Sequence, residues 1–226
     1  MRKRSKRYEE QAGQVPEGAL ALEQAVEKVQ SWKGGKFDQS VECVIQLGID
    51  TRKADQAVRG AVSLPHGIGK SVRVIAFCEG EDVEKAIGAG ASEAGSDELV
   101  AKVQGGWLDF DVAIAHPRMM SKVGKLGRIL GPQGKMPSPK GGTVTAEIEK
   151  AVKDYSAGKI EFRNDSGGNV HALVGKMSFE KAKLVENIEM FLGTIRRMKP
   201  SAAKGAYMKQ VCISATMTPS VKVALS

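Results

Sequence analysis

Residues 127–145, GRILGPQGKMPSPKGGTVT, hold five glycines, three prolines and three cations (Arg128, Lys135 and Lys140) with no carboxylate. Glycine and proline at that density stop helices and inner strands, so the segment reads as a shaped, turn-rich loop. A loop with positive charge and exposed backbone N–H groups suits an anion, and phosphate fits best. Two readings stay open on these residues alone: a phosphate contact, or a solvated basic loop between a helix and a strand.

The other residues that could do chemistry offer less. GIGKS (67–71) looks like the tail of a P-loop, but that motif needs glycine at position 64, where the chain has Leu64. The strand also follows the motif instead of preceding it. Gly67 and Gly69 therefore read as hinge residues, with Gly158 at a second crossing of the chain. GAGASEAG (88–95) follows a helix and is no dinucleotide fingerprint. His66, His116 and His171 share no local motif for metal binding or base catalysis. Asp109 and Asp111 flank Phe110 with no acid, nucleophile or third ligand nearby. Cys43, Cys78 and Cys212 fit no metal or CxxC spacing and sit in apolar runs, as reduced buried thiols do. The chain is not expected to be an enzyme, and no metal, cofactor or small-molecule substrate is expected.

Charge is more informative. The 226 residues carry 34 Lys+Arg and 26 Asp+Glu, a net charge of +8. Residues 1–67 hold 11 cations against 9 carboxylates, and residues 159–226 hold 11 against 5. Residues 68–158 hold 12 of each, with six of the cations and no carboxylate inside 117–142. All the net charge thus lies in the two outer segments, a pattern that suits a nucleic-acid partner. No apolar run approaches the roughly 20 residues that span a bilayer. The basic start MRKRSKRYEEQ has no apolar stretch behind it, so neither a membrane partner nor a secretory signal is expected.

The elements that must position these groups follow from hydrophobic spacing. Residues 1–10 read as a basic, weakly ordered arm. Helical spacing covers 19–32, and Gly34-Gly35 ends it. Residues 40–49 alternate as a strand, and 60–69 read as a connection. From 71 the chain alternates strand and helix: strand 71–77, helices 81–91 and 97–104, strand 109–116, helix 118–130, the loop, strand 143–145, and helix 146–158. After Gly158 come a hairpin of 159–165 with 169–177, a long helix over 179–198, and strands 206–217 and 220–225. The terminal segments are too small to bury a core separately but together make a four- or five-stranded sheet backed by two helices. The fold class is therefore α/β and α+β in two domains. Domain one (1–67 and 159–226) is discontinuous and α+β, and domain two (68–158) is an inserted three-layer, Rossmann-like α/β domain.

Two local features could form a site at one sheet edge. Phe37, in the polar run Lys36-Phe37-Asp38-Gln39-Ser40, could be a core residue at a strand start or could stack on an unpaired base or ribose. Thr216-Met217-Thr218-Pro219-Ser220 is a hydroxyl-rich bend, either a plain turn or one able to bond phosphate and 2′-OH groups.

With these motifs in hand, the chain resembles the large-subunit ribosomal protein L-one family, bacterial type, the protein of the ribosome's mobile stalk. The resemblance rests on GRILGPQGKMPSPKGGTVT, KFDQSVE with LGID (36–50), DQAVRGAVSLPHGIGK (55–70), GWLDFD (106–111), KIEFRND with HALVGK, and SATMTPSV. It implies a cytoplasmic ribosomal protein that binds a folded element of the large-subunit rRNA, mainly through domain one. It also implies help in releasing deacylated exit-site tRNA, and translational repression through the protein's own mRNA. The family's RNA-contacting surface maps onto Lys36, Phe37, Ser40, Thr216 and Met217, with neighbours around Arg163 and Asp165. Thr218 stands where the family usually has glycine, a residue that would permit a positive φ or a close backbone approach. Arg128, Lys135 and Lys140 are left as a secondary RNA contact or a structural loop.

Overall fold

The computed structural model describes residues 4–32 and 34–225. They divide into two compact units: residues up to Gly69 together with those from Glu161 onward, and Lys70–Ile160 between them.

Unit 1 is built on a four-stranded antiparallel sheet in the order β7-β1-β8-β9, from Asn169–Lys176 (β7), Ser40–Leu47 (β1), Met208–Ala215 (β8) and Val221–Val223 (β9). Alternation decides which face is covered. Val41, Cys43, Ile45 and Leu47 of β1 are all buried, while Glu42 and Gln46 are exposed. Helix α2 (Leu22–Ser31) turns Ala25, Val26 and Val29 inward, and the long helix α8 (Lys181–Arg197) turns Leu184, Ile188, Phe191 and Ile195 inward. The fully buried Asn187 of α8 donates to Gly67 O and Val174 O and accepts from His66 N, so its polar group is satisfied inside the core.

Three features of unit 1 differ from the sequence expectation. Residues 6–13 form helix α1, N-capped by the Ser5 hydroxyl, which accepts from Tyr8 N. Lys159–Arg163 (β6) pairs with Arg59–Ser63 (β2), a segment read as a connection, and meets β7 only through the bridge Asn164–Val170. The pairing has its own specificity. Asn164 N donates to Val58 O and its side-chain oxygen accepts from Val58 N, while Arg59 and Glu161 form an ion pair at 2.6 Å. Gly60 admits the Phe162 ring and the Met198 side chain, which a β-carbon there would crowd at 3.0–3.3 Å.

Unit 2 holds a three-stranded parallel sheet ordered β4-β3-β5, from Glu93–Gly95 (β4), Val74–Phe77 (β3) and Val112–Ala115 (β5). All of β3 is buried, as befits a strand covered on both faces. One face packs on Leu99, Val100 and Val103 of α4 (Asp97–Gln104) and on the segment from Met119 to Leu130. The other packs on Ala86 of α3 (Glu81–Gly88) and on Ile148, Ala151, Val152 and Tyr155 of α7 (Ile148–Ser156). Thr143–Thr145 adds only a parallel bridge between Val144 and Ala115. The helix expected over 118–130 is broken into short turns, including α5 (Met120–Val123) and α6 (Gly127–Leu130) with 3-10 turns before each. Gly124 and Gly127 sit at the joints, where they weaken a continuous ladder.

Candidate nucleic-acid interface

The N-terminal end of β1 meets the C-terminal ends of β7 and β8, because Ser40 pairs with Lys176 and Val41 with Ala215. Ser40 N donates to the Thr216 hydroxyl, Thr216 N donates to Ser40 O at 3.0 Å, and Lys176 Nζ donates to Ser40 Oγ at 2.9 Å. In the side-chain orientation that satisfies both its polar atoms, buried Gln39 donates to Thr216 O and accepts from Gly35 N. Asp38 accepts from Ser178 N and Oγ. The polar run from Asp38 to Ser40 is thus spent on fastening three chain segments together, which leaves its neighbours outside.

Those neighbours are Phe37 and Met217, 50% and 66% exposed and among the few large apolar side chains so open to solvent. Gly34 and Gly35 let the chain pass close beneath them. A β-carbon at Gly34 would lie 2.9 Å from the Gln39 amide, and one at Gly35 would lie 2.9 Å from the Phe37 ring. Met217 is the one non-glycine among the described residues with a left-handed backbone, φ 64°. The left-handed residue of this turn is therefore Met217, one position before the Thr218 that stands where the family usually has glycine. Thr218 has another task. Its N–H donates to Ala215 O, and its hydroxyl accepts from Ala215 N at 2.9 Å while donating to a carbonyl of the same turn. The bend is therefore closed by its own threonine and presents the Met217 thioether outward.

Lys36, Phe37, Ser40, Thr216, Met217 and Thr218 accordingly share one edge. Arg163 and Asp165 do not join them. In the β1–β7 ladder Ser40 faces Lys176 and Gln46 faces Asn169. Asp165 sits on the Asn169 side, roughly 20 Å along the strand from the Phe37 edge at about 3.3 Å per residue. Asp165 also has local work: it accepts from Asn169 N and Nδ2 and from Gly167 N, hydrogen bonds that hold its carboxyl below the ordinary range. Lys176 was missed from the sequence, because only strand register reveals that it ends beside Ser40.

The glycine-rich loop has a different character. Its first four residues are helical, with Gly131 N donating to Gly127 O. Ser138 and Thr143 close the next stretch through three hydrogen bonds, and the buried Tyr155 hydroxyl donates to Gly141 O at 2.5 Å. Lys135 is committed, donating to Leu108 O at 3.0 Å with its ammonium over the Phe110 ring. Arg128 and Lys140 remain exposed. Of the glycines expected at a hinge, Gly67 and Gly69 have φ 62° and 68°, and Gly158 (φ 112°) follows Ala157, the C-cap of α7. A β-carbon at Gly69 would strike Phe179 and Lys176 at 2.8–2.9 Å.

Several titratable side chains outside this edge are paired within the fold. Asp109 and Asp111 pair with Arg73, and Asp111 also accepts from Lys70 Nζ at 2.9 Å. Partial burial pulls the Asp111 carboxyl upward, but its bonds from Lys70 and Arg73 prevail and hold it below its usual value. His66 meets Glu186, while His116 accepts from Arg118 N. Burial pushes the Cys43 thiol up to about 12 and Cys78 up to about 11, which keeps both protonated and unreactive. Among the described residues no group of three or more His, Cys, Asp or Glu could hold a metal ion, and no helix is long and apolar enough to cross a membrane.

An exposed aromatic and a thioether thus stand with cations at one edge of a mixed α/β scaffold. The sequence matches the Ribosomal protein L1p/L10e family over residues 28–219, and the chain belongs to that family. It is a structural, rRNA-binding protein of the large ribosomal subunit and not an enzyme.

Proposed function

We propose that unit 1 is the main RNA-binding domain and that it grips the rRNA of the mobile stalk at the edge formed by Lys36, Phe37, Ser40, Thr216, Met217 and Thr218. One observation carries this reading: Phe37 and Met217 stand exposed at the same edge of the sheet, with Lys36 and Lys176 beside them. Among the described residues neither Lys36 nor Lys176 is in an ion pair, whereas Lys85, Lys102, Lys122 and Lys153 of unit 2 all are. A flat ring, a polarisable thioether and cations outside any ion pair together suit a base or ribose flanked by phosphates. Arg163, at the other end of the sheet, would meet a separate stretch of the same RNA. Arg128 and Lys140 would supply a secondary contact from unit 2.

On the same reading the protein works in the cytoplasm, on the ribosome. There it assists release of deacylated tRNA from the exit site and represses its own mRNA where that message mimics the rRNA site. Gly67, Gly69 and Gly158 would provide backbone freedom where the chain crosses between units. The test is filter binding to a transcript of the large-subunit stalk rRNA. Phe37→Ala and Met217→Ala should each weaken binding about tenfold, the order expected for one lost stacking contact, with thermal unfolding little changed. Unchanged affinity in both variants rejects the edge as the site.

A further inference from the structure

The edge described above has a neighbour that the family match, which begins at residue 28, does not cover. Helix α1 places Arg7 beside it. A β-carbon at Gly35 would find both the Phe37 ring and a guanidinium nitrogen of Arg7 within 4 Å, so the cation and the ring flank the same glycine. The Arg7 Nε is buried and has no hydrogen-bond partner. Among the described residues no carboxylate is within ion-pair distance of it, although Glu9 and Glu10 lie on the same helix. A buried, unpartnered guanidinium nitrogen is costly unless something satisfies it. Arg4, by contrast, rests over the Tyr8 ring at 4.7 Å and is already engaged.

We infer that Arg7 completes the RNA-binding edge by donating to a phosphate of the nucleotide that lies against Phe37. The inference rests on the proposed role of that edge and adds to it a residue, a helix and a ligand atom. The chemistry fits an arginine in particular. A guanidinium offers a planar fork of donors to two phosphate oxygens at once, and its weak hydration lets it sit half-buried beside a ring. α1 then serves as the element that aims this fork. Its Ser5 cap and the buried Gln11 fix one end of the helix and one face, so Arg7 projects toward Gly35 from a defined position. A loose basic arm would give diffuse attraction; a capped helix gives one directed contact.

The experiment uses the full chain and the same stalk rRNA transcript, titrated over a range of salt concentrations. Arg7→Met retains an aliphatic side chain of similar length while removing the guanidinium that lies by Gly35. It should bind about tenfold more weakly at physiological salt, and its log–log salt slope should fall by about one, the signature of one lost phosphate contact. Arg7→Lys should keep most of the slope yet recover only part of the affinity, because an ammonium lacks the fork. Phe37→Ala should lose affinity with its slope preserved. A normal slope and affinity for Arg7→Met while Phe37→Ala binds weakly would overturn the inference and leave the edge standing. Normal binding by both variants would overturn the edge itself. An Arg7→Met loss accompanied by an unchanged slope would assign Arg7 to packing and also overturn the inference.

Discussion

Met217 offers the sharpest test of the turn at the end of β8. Its backbone lies at φ 64°, in the left-handed region, where a residue with a β-carbon is about 1–2 kcal/mol worse off than in ordinary conformations. Two replacements separate the backbone from the side chain. Met217→Ala keeps the β-carbon and its strain and loses the contacts of the buried third of the side chain. That third is worth about 0.7 kcal/mol if full burial is worth about 2 kcal/mol. Met217→Gly loses the same contacts and relieves the strain, but it gives the unfolded chain extra freedom costing about 0.5–1 kcal/mol. The glycine variant should therefore unfold within about 0.5 kcal/mol of the parent, and the alanine variant should be less stable than the glycine variant by a similar amount. In a helix or strand interior that order is reversed, so the sign alone is diagnostic. Urea unfolding followed by circular dichroism can resolve the two, with a melting-point difference of about 2 °C in the same direction. RNA affinity should fall equally in both, since neither retains the thioether. An alanine variant as stable as the glycine one would refute the strain argument. A glycine variant that binds RNA like the parent would refute the role of the side chain.

Two further outcomes concern unit 2. Tyr155→Phe deletes a buried hydroxyl that donates to Gly141 O, which should cost about 1–2 kcal/mol and speed proteolytic cleavage within 131–143, while RNA binding by unit 1 stays unchanged. Asp111 has a folded-state pKa below its unfolded value, so its ion pairs stabilise the protein above the ordinary carboxylate range and are lost as the pH falls through the depressed value. Asp111→Asn should accordingly flatten the acid limb of a stability–pH profile, and an unaltered limb would show that other carboxylates govern it.

Much of the mixed α/β class was legible because strand periodicity is local. Val41, Cys43, Ile45 and Leu47 alternate in the sequence and are buried in the structure for the same reason. The partner of each strand is not a local property, and there the reading failed. KIEFRND and NVHALVGK are joined by a short glycine turn and look like a hairpin, yet β6 pairs with β2 because Asn164, Glu161 and Gly60 fit Val58, Arg59 and Phe162. The helix over 118–130 was over-read: its apolar spacing is helical, but two glycines interrupt it. At the site, Phe37 stood out as an aromatic in a polar run, open between core and surface, whereas Met217 entered only through the family resemblance. Lys176 and Arg7 are ordinary cations in the sequence, and only register and the packing of α1 bring them to the edge. The separation of Asp165 from Phe37 follows from the length of β7, a distance that a list of motifs does not contain.

The order of strands in unit 1 bears on how the protein is made. β1 lies between β7 and β8, strands separated from it by the whole of unit 2. During synthesis from the N-terminus, Phe37 and Ser40 leave the ribosome long before Lys176 and Thr216 exist to hold them. Unit 2 is contiguous and has all its parts once Ile160 is made, so it can fold while the first strand of the other unit waits unpaired. The edge proposed to face RNA is assembled last, from segments made early and late in synthesis. A chain cut short before Thr216 would carry a complete unit 2 but lack β8 and β9, and with them the Thr216–Thr218 half of the proposed edge.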